Sequence, residues 1–322
     1  MQSNSSAACW VGIDVSQEWV DVAVLQDERK LEQGRWDRTP DGLAALARKL
    51  AGYRPQGIAL EATGGLEVAV MGAMAAAGLA VVRLNPKRVR DFARAQGLLA
   101  KTDKLDAYAL ALFGARMRPA MRPIPDAQRQ QLAAWVTREQ QIVQVRASER
   151  TRLHRLDDPR LRRSVERVVA LLGKELGRID KQLSEWIRES GLWEEQEARL
   201  RTAPGVGPKT ARLLLAFMPE LGEANRREIA ALAGLAPFAC ESGQWKGRRR
   251  IRGGRGAVRA GLYVASWAAV RVAGPLRDFY TRLTSSGKPK QLALIAVARK
   301  LLLALNEMMR QGKPWTVSTV HA

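Results

Sequence analysis

The sequence predicts an α/β domain built on a mixed sheet, then a long helical hairpin, then a mostly α-helical C-terminal domain. Three observations carry this reading. Short apolar-alternating runs up to residue 36 give way to a succession of strands and helices. Pro119, Pro123 and Pro125 then punctuate the chain as a linker. Beyond them, from about 127 to 198, apolar residues recur at steps of three and four. A chain of 322 residues exceeds the usual size of one core, so two or three domains are expected.

In order, "WVGIDVS", "WVDVAVLQ" and "KLEQGRW" read as a strand meander. "DGLAALARKLAGY" has helical periodicity behind an Asp41 cap, "GIALEATG" is a buried strand, "LEVAVMGAMAAAG" a helix and "LAVVRLNP" another strand. Three antiparallel strands followed by β-α-β-α make a mixed sheet. The helical segments "KRVRDFARAQGLLA" and "KTDKLDAYALALFGARM" complete a first domain placed at residues 1–122.

Residues 123–198 form the middle segment: helix, break at "LDDP", helix. Val165, Val168, Leu172, Leu176, Ile179, Leu183 and Trp186 line one seam of the second helix. That seam serves either an antiparallel hairpin within the chain or a coiled coil between subunits. In the remaining domain, 199–322, "APGVGPKTA" places Gly205, Gly207 and Lys209 between two helical runs. This is the pattern of a helix-hairpin-helix, whose backbone N–H groups grip a phosphate, or of a plain glycine-rich connection.

Charge narrows the function. Lys plus Arg number 53 against 32 Asp plus Glu, a net +21 with a pI near 10.9. Such an excess in a folded chain points to a polyanion, nucleic acid above all. Cys9 and Cys240 stand far apart, and with only His154 and His321 besides they give no zinc spacing. The cysteine usage suits a reducing cytoplasm. No signal-peptide pattern is visible, and the longest uncharged stretch, 68–82, is shorter than the roughly 20 residues that cross a bilayer. No GxxxxGK[ST] motif is present, so no nucleotide cofactor is expected.

Four carboxylates stand out. Asp14 lies among apolar neighbours in a strand, where a charge needs a cation or hydrogen bonds to offset desolvation. Glu61 occupies the corresponding end of a later strand, and Asp103 and Asp106, three apart, share one helix face. Singly, Asp14 could cap a turn, Glu61 could pair with an arginine and Asp103 could cap its helix. Together they form an oxygen-ligand set suited to two Mg²⁺ ions roughly 4 Å apart, which stabilise attacking and leaving oxygens at phosphorus.

The order "GIDVS…LEATGG…KTDKLDA", followed by "PGVGPKTA", "LAGLAP" and "ESGQWKGRRRIRGGRGAVRAGLY", closely resembles the DEDD transposases of bacterial insertion sequences. That family has a RuvC-like, RNase H-like nuclease domain and includes the recombinases that invert pilin genes. The resemblance implies that Asp14, Glu61, Asp103 and Asp106 hold Mg²⁺ and that Ser242 is the catalytic serine. It also implies donor and target DNA and a structured noncoding guide RNA as partners. Because exchanging strands requires four cuts, a homo-oligomer (dimer or tetramer) is expected, with no membrane and a nucleoid-associated place in a bacterial cytoplasm.

A serine hydroxyl needs activation before it attacks phosphorus. From Ser242 to Leu276 the sequence has eight Lys or Arg and no acid. The serine segment therefore carries no local metal ligands, and any metal must come from the first domain of the same or another chain. Lys246, Arg248, Arg249, Arg250, Arg252 and Arg255 are expected to grip phosphate. Two alternatives stay open at this point. One is a RuvC-like structure-specific endonuclease that uses water, with Ser242 only contacting a phosphate; the other is a nucleic-acid-binding protein without catalysis.

Overall fold

The computed structural model describes residues 8–100, 102–121, 126–239, 241–242, 245–246 and 249–317. The chain divides into two compact units, 1–124 and 125–322.

The first unit holds one five-stranded sheet. Strands β1 (Cys9–Val15), β2 (Trp19–Gln26) and β3 (Arg29–Asp37) form the expected antiparallel meander. Helix α1 (Pro40–Gly52) leads to β4 (Gly57–Glu61), which lies parallel to β1, and α2 (Glu67–Ala76) leads to β5 (Val81–Leu84), parallel to β4. The sheet order is β3-β2-β1-β4-β5, and α3 (Pro86–Ala95) and α4 (Asp103–Met117) follow. This is the mixed-sheet α/β class read from the sequence: an antiparallel meander continued by two parallel strands.

Strand alternation decides what faces what. Val11, Ile13 and Val15 of β1 pack in one core with Ile58 and Leu60 of β4 and with Leu43, Leu46 and Leu50 of α1 and Val70, Met71 and Met74 of α2. The intervening residues point to the other face. There Trp10 and Ala59 meet Leu110 and Phe113 of α4, and Ala23 and Leu25 of β2 meet Ala107, Ala111 and Leu112. Burying each such aliphatic side chain contributes roughly 1.5–3 kcal/mol. The cap of α1 is Thr39, whose hydroxyl accepts from the Gly42 N–H at 3.1 Å, rather than Asp41. Pro40, which lacks an N–H and has a helix-ready φ, takes the first helical position and so sets the cap at Thr39, two residues before Asp41.

The second unit opens with the helical hairpin, α5 (Ala127–Leu153) and α6 (Pro159–Glu189), each capped by an aspartate, Asp126 and Asp158. The seam is buried only towards the end of α6. Leu176, Ile179 and Leu183 are at most 8% exposed, whereas Val165 and Leu172 are half-buried and Val168 is exposed. Ile187 rather than Trp186 completes the buried end, because a period of 3.6 drifts off a strict 3.5 repeat over this length.

Helices α7 (Leu192–Arg201), α8 (Pro208–Phe217) and α9 (Arg226–Leu232) come next. Then follow the two-residue strands β6 (Pro237–Phe238), β7 (Glu241–Ser242), β8 (Trp245–Lys246) and β9 (Arg250–Ile251). Helices α10 (Gly256–Ala269), α11 (Pro275–Ser285) and α12 (Lys290–Gln311) close the chain. One core joins the hairpin residues Leu132, Val136, Ile179 and Leu183 to Leu213 and Leu214 of α8, Leu262 of α10 and Leu301 and Leu305 of α12. Helix α8 is also tied to the hairpin by charge. Buried Arg212 donates to Asp180 Oδ1 at 2.8 Å and Ser184 Oγ at 2.9 Å, and Lys209 pairs with buried Glu139 at 2.7 Å.

Candidate active site

The four carboxylates named from the sequence belong to one face of the first unit. Ile13 pairs with Leu60 across the parallel β1–β4 ladder, so the next residue on each strand is an acid, Asp14 and Glu61. Both share the face of Gly12 and Ala59, the face that α4 covers. Thr102 caps α4 by accepting from the Leu105 N–H at 3.3 Å, which places Asp103 and Asp106 in the first turn. The cap is thus Thr102 and not Asp103, leaving the Asp103 carboxylate available to the sheet.

Gly12 fixes how closely the helix approaches. A Cβ there would stand 2.0 Å from the Ala107 carbonyl oxygen and 2.4 Å from the Ala111 nitrogen, so only glycine lets α4 lie directly on β1, two residues before Asp14.

The electrostatic result centres on Asp14. Burial pushes its carboxyl up from 3.8 to about 7, and the charges of Asp106, Glu61, Asp103 and Asp21 add to that, in this order. Asp21, which sequence reading passed over, pairs with Asp14 across β1–β2 and is 1% exposed. Its signal was available: an acid between Val20 and Val22 in an apolar strand. Arg35, opposite Asp21 on β3, compensates it through Nη2–Oδ2 at 2.8 Å and Nε–Oδ1 at 3.3 Å, and also reaches Asp103 Oδ2 at 3.4 Å. Arg90 stands 4.0 Å from Asp106.

The donor chemistry fits a hard divalent cation: carboxylate oxygens only, with burial first and the repulsion of neighbouring acids second keeping Asp14 partly protonated near neutral pH. The spacing does not itself enclose an ion. Among the described residues no group of three or more His, Cys, Asp or Glu is close enough to hold one.

Ser242 lies in the second unit, on a two-level ribbon. Strand β6 pairs with β9, and within that outer pair β7 pairs with β8, with Ser242 opposite Trp245. The side chains of Ser242 and Lys246, and Arg248 as a whole, lie outside the described residues. Arg249, Arg250 and Arg252 are exposed. Arg255, in contrast, is held by both oxygens of Glu220, at 2.6 and 2.7 Å, and caps α10.

The turn before α8 is also occupied structurally. Gly205 has a φ of +79°, and a Cβ on it would meet the Ala265 carbonyl of α10 at 2.2 Å, whereas the corresponding position at Gly207 is open. With Lys209 engaged by Glu139, this segment packs helices together whatever else it contacts. A helix-hairpin-helix is not established by it.

Two family models match this chain in order. A DEDD transposase model of the IS110 kind covers residues 11–157, and a model described as the transposase IS116/IS110/IS902 family covers 197–281. The chain belongs to the IS110-type DEDD transposase family. Among its relatives, the pilin gene-inverting protein of Moraxella bovis is 28% identical over 237 residues, 72% of this chain and 73% of that protein. An insertion element IS110 protein of Streptomyces coelicolor is 30% identical over 115 residues, 35% of this chain and 28% of that one. A solved structure of Thermus thermophilus RuvC with a Holliday junction substrate covers 35% of this chain and 98% of its own at 21% identity. Its TM-score is 0.29. For this transposase-family chain, no described helix is long and apolar enough to cross a membrane.

Proposed function

We propose that the chain is a DNA recombinase that cuts and rejoins strands through a covalent serine link. The single observation that supports this most is the assembly of Asp14, Glu61, Asp103 and Asp106 on the α4 face of the sheet, felt directly by Asp14. In this reading residues 1–122 supply the metal-binding nuclease domain, 123–198 the hairpin, and 199–322 the serine domain.

Asp14, Glu61, Asp103 and Asp106 would hold Mg²⁺, two ions per site. When bound, Mg²⁺ supplies Lewis-acid stabilisation of charge on the phosphoryl and leaving oxygens. The Ser242 oxygen bonds to phosphorus, the P–O bond to the departing strand breaks, and the hydroxyl proton ends on the released strand hydroxyl. One phosphoester replaces another, so the reverse step rejoins DNA without a nucleotide cofactor. Lys246, Arg248, Arg249, Arg250 and Arg252 surround the serine in sequence and hold phosphate oxygens, preorganised for the charge that builds during attack. Gly205, Gly207, Lys209 and Arg255 are assigned to the same nucleic-acid face, Arg255 and Lys209 acting there through the ion pairs that shape it.

Because the acids and the serine sit in different units and strand exchange needs several cuts, the working enzyme is a homo-oligomer on donor and target DNA. A structured noncoding RNA chooses the sequences, and the site of action is the nucleoid in the cytoplasm. The test is strand cleavage of the gene's own flanking DNA in the presence of transcripts from the adjacent noncoding segment, titrated with Mg²⁺. Glu61→Gln and Ser242→Ala should both abolish cleavage while retaining DNA binding. Hydrolysis that persists in Ser242→Ala would replace this mechanism with water attack.

A further inference from the structure

The α4 face of the sheet carries a row of charges, one on each of four adjacent strands: Arg35 on β3, Asp21 on β2, Asp14 on β1 and Glu61 on β4. The register sets the row, since Arg35 is opposite Asp21, Asp21 is opposite Asp14, and Asp14 and Glu61 follow the paired Ile13 and Leu60. Strands about 4.8 Å apart would place the Arg35 backbone roughly 10 Å from that of Asp14. The side chain shortens this by folding over Asp21 towards α4. Its guanidinium carbon lies 4.5 Å from the centre of the Trp19 ring, a stacking that fixes its direction.

The result is an arginine shared between two acids of different standing. Asp21 has a side chain only 2% exposed, so its charge is compensated by protein rather than water, and the two-point grip of Arg35 supplies that. Asp103 is 54% exposed and is reached by the same Nη2 at the longer distance of 3.4 Å. The first contact is strong and enclosed; the second is loose and accessible.

We infer that Arg35 is a positioning residue: a resident counter-charge that offsets part of the Asp21 charge beside the carboxylate site and holds Asp103 towards the sheet until a divalent cation takes that carboxylate over. The inference rests on the metal reading given above. Two properties follow from the geometry. A cation at Asp103 displaces only the loose contact, leaving the Asp21 grip intact, so loading does not strip a buried acid of its partner. And the positive charge of Arg35 opposes cation entry, setting the affinity below what the acids alone would give.

The test is thermal unfolding of the full-length chain, first without divalent cation and then through a MgCl₂ titration. Arg35→Met should lower the metal-free midpoint by several degrees and lower the half-saturating Mg²⁺ on the order of tenfold, since a unit positive charge leaves the edge of the site. Asp21→Asn should move Mg²⁺ affinity the other way, on the order of tenfold weaker, because Arg35 then has Asp103 as its remaining acid. Combining the two changes should return both readouts towards wild type, and Arg35→Lys, which keeps the charge, should keep the wild-type affinity.

If Arg35→Met does not fold, the opposite shifts expected of Asp21→Asn and the near-normal behaviour of Arg35→Lys decide the matter. A wild-type chain that responds to Mg²⁺ while Arg35→Met and Asp21→Asn respond identically overturns the inference and leaves the metal reading standing. A wild-type chain with no Mg²⁺ response overturns both.

Discussion

Replacing Asp14 with asparagine should make the Mg²⁺-free protein more stable and inactive at once. The native fold holds Asp14 near 7 against 3.8 ordinarily, roughly a thousandfold preference for the protonated form. At about 1.4 kcal/mol per tenfold this is about 4 kcal/mol, and we halve it to about 2 kcal/mol because the side chain is only half-buried and water screens part of the repulsion. The sign follows from proton linkage. Between 3.8 and about 7 the folded state binds more protons than the unfolded state, so stability is greatest at low pH and falls as pH rises through that window. Asparagine keeps the shape and removes the charge. Asp14→Asn should therefore exceed wild type by about 2 kcal/mol at pH 8 in EDTA, with the gap closing as pH falls towards 4. Amide hydrogen exchange in peptides covering β1 and β4 reads this for the first unit separately from the second. A variant less stable than wild type at pH 8, or a gap independent of pH, would refute the reasoning.

Three further outcomes follow from the packing and the charge. Gly12→Ala drives a methyl into the α4 backbone, 2.0 Å from Ala107 O, and should cost about 3 kcal/mol in the first unit by the same exchange measurement. Gly205→Ala meets both a positive φ and the α10 backbone and should lower the melting of the second unit markedly; Gly207→Ala, with φ −90° and open space, should leave it within about 0.5 kcal/mol. Arg252→Ala at an exposed position should reduce the slope of log binding constant against log salt on duplex DNA by about 0.9, with little sequence dependence.

The sheet and its acids were legible because strand alternation and desolvation speak locally. "WVGIDVS" alone says that Asp14 shares a face with Gly12 and Trp10, and "IALEATG" says the same of Glu61 and Ala59. What escaped reading depends on partners distant in sequence. Asp21 becomes part of the site only through a β1–β2 register, and Arg35 only through β3, whose mixed polar sequence gives no hint of a functional arginine. Gly205 resembles a phosphate-binding turn in sequence, while its closest neighbour is the backbone of α10, 60 residues later. The hairpin seam was read as one continuous line, yet its burial fades from Leu176 towards Val165, where the core of the second unit no longer reaches. Arg255 reads in sequence as one more cation of the basic run, and its ion pair with Glu220 escapes reading because that acid lies 35 residues earlier.

The central claim is that the carboxylates of β1, β4 and α4 and the hydroxyl of β7 serve one phosphorus atom. Mass spectrometry of protein recovered from a reaction on DNA that is nicked to prevent religation, with Mg²⁺ present, tests it most directly. A nucleotide-bearing peptide modified at Ser242 in wild type and missing from Asp14→Asn is the predicted result. Cut DNA whose ends carry no protein, or a Ser242 adduct that forms equally well without Asp14, would contradict it.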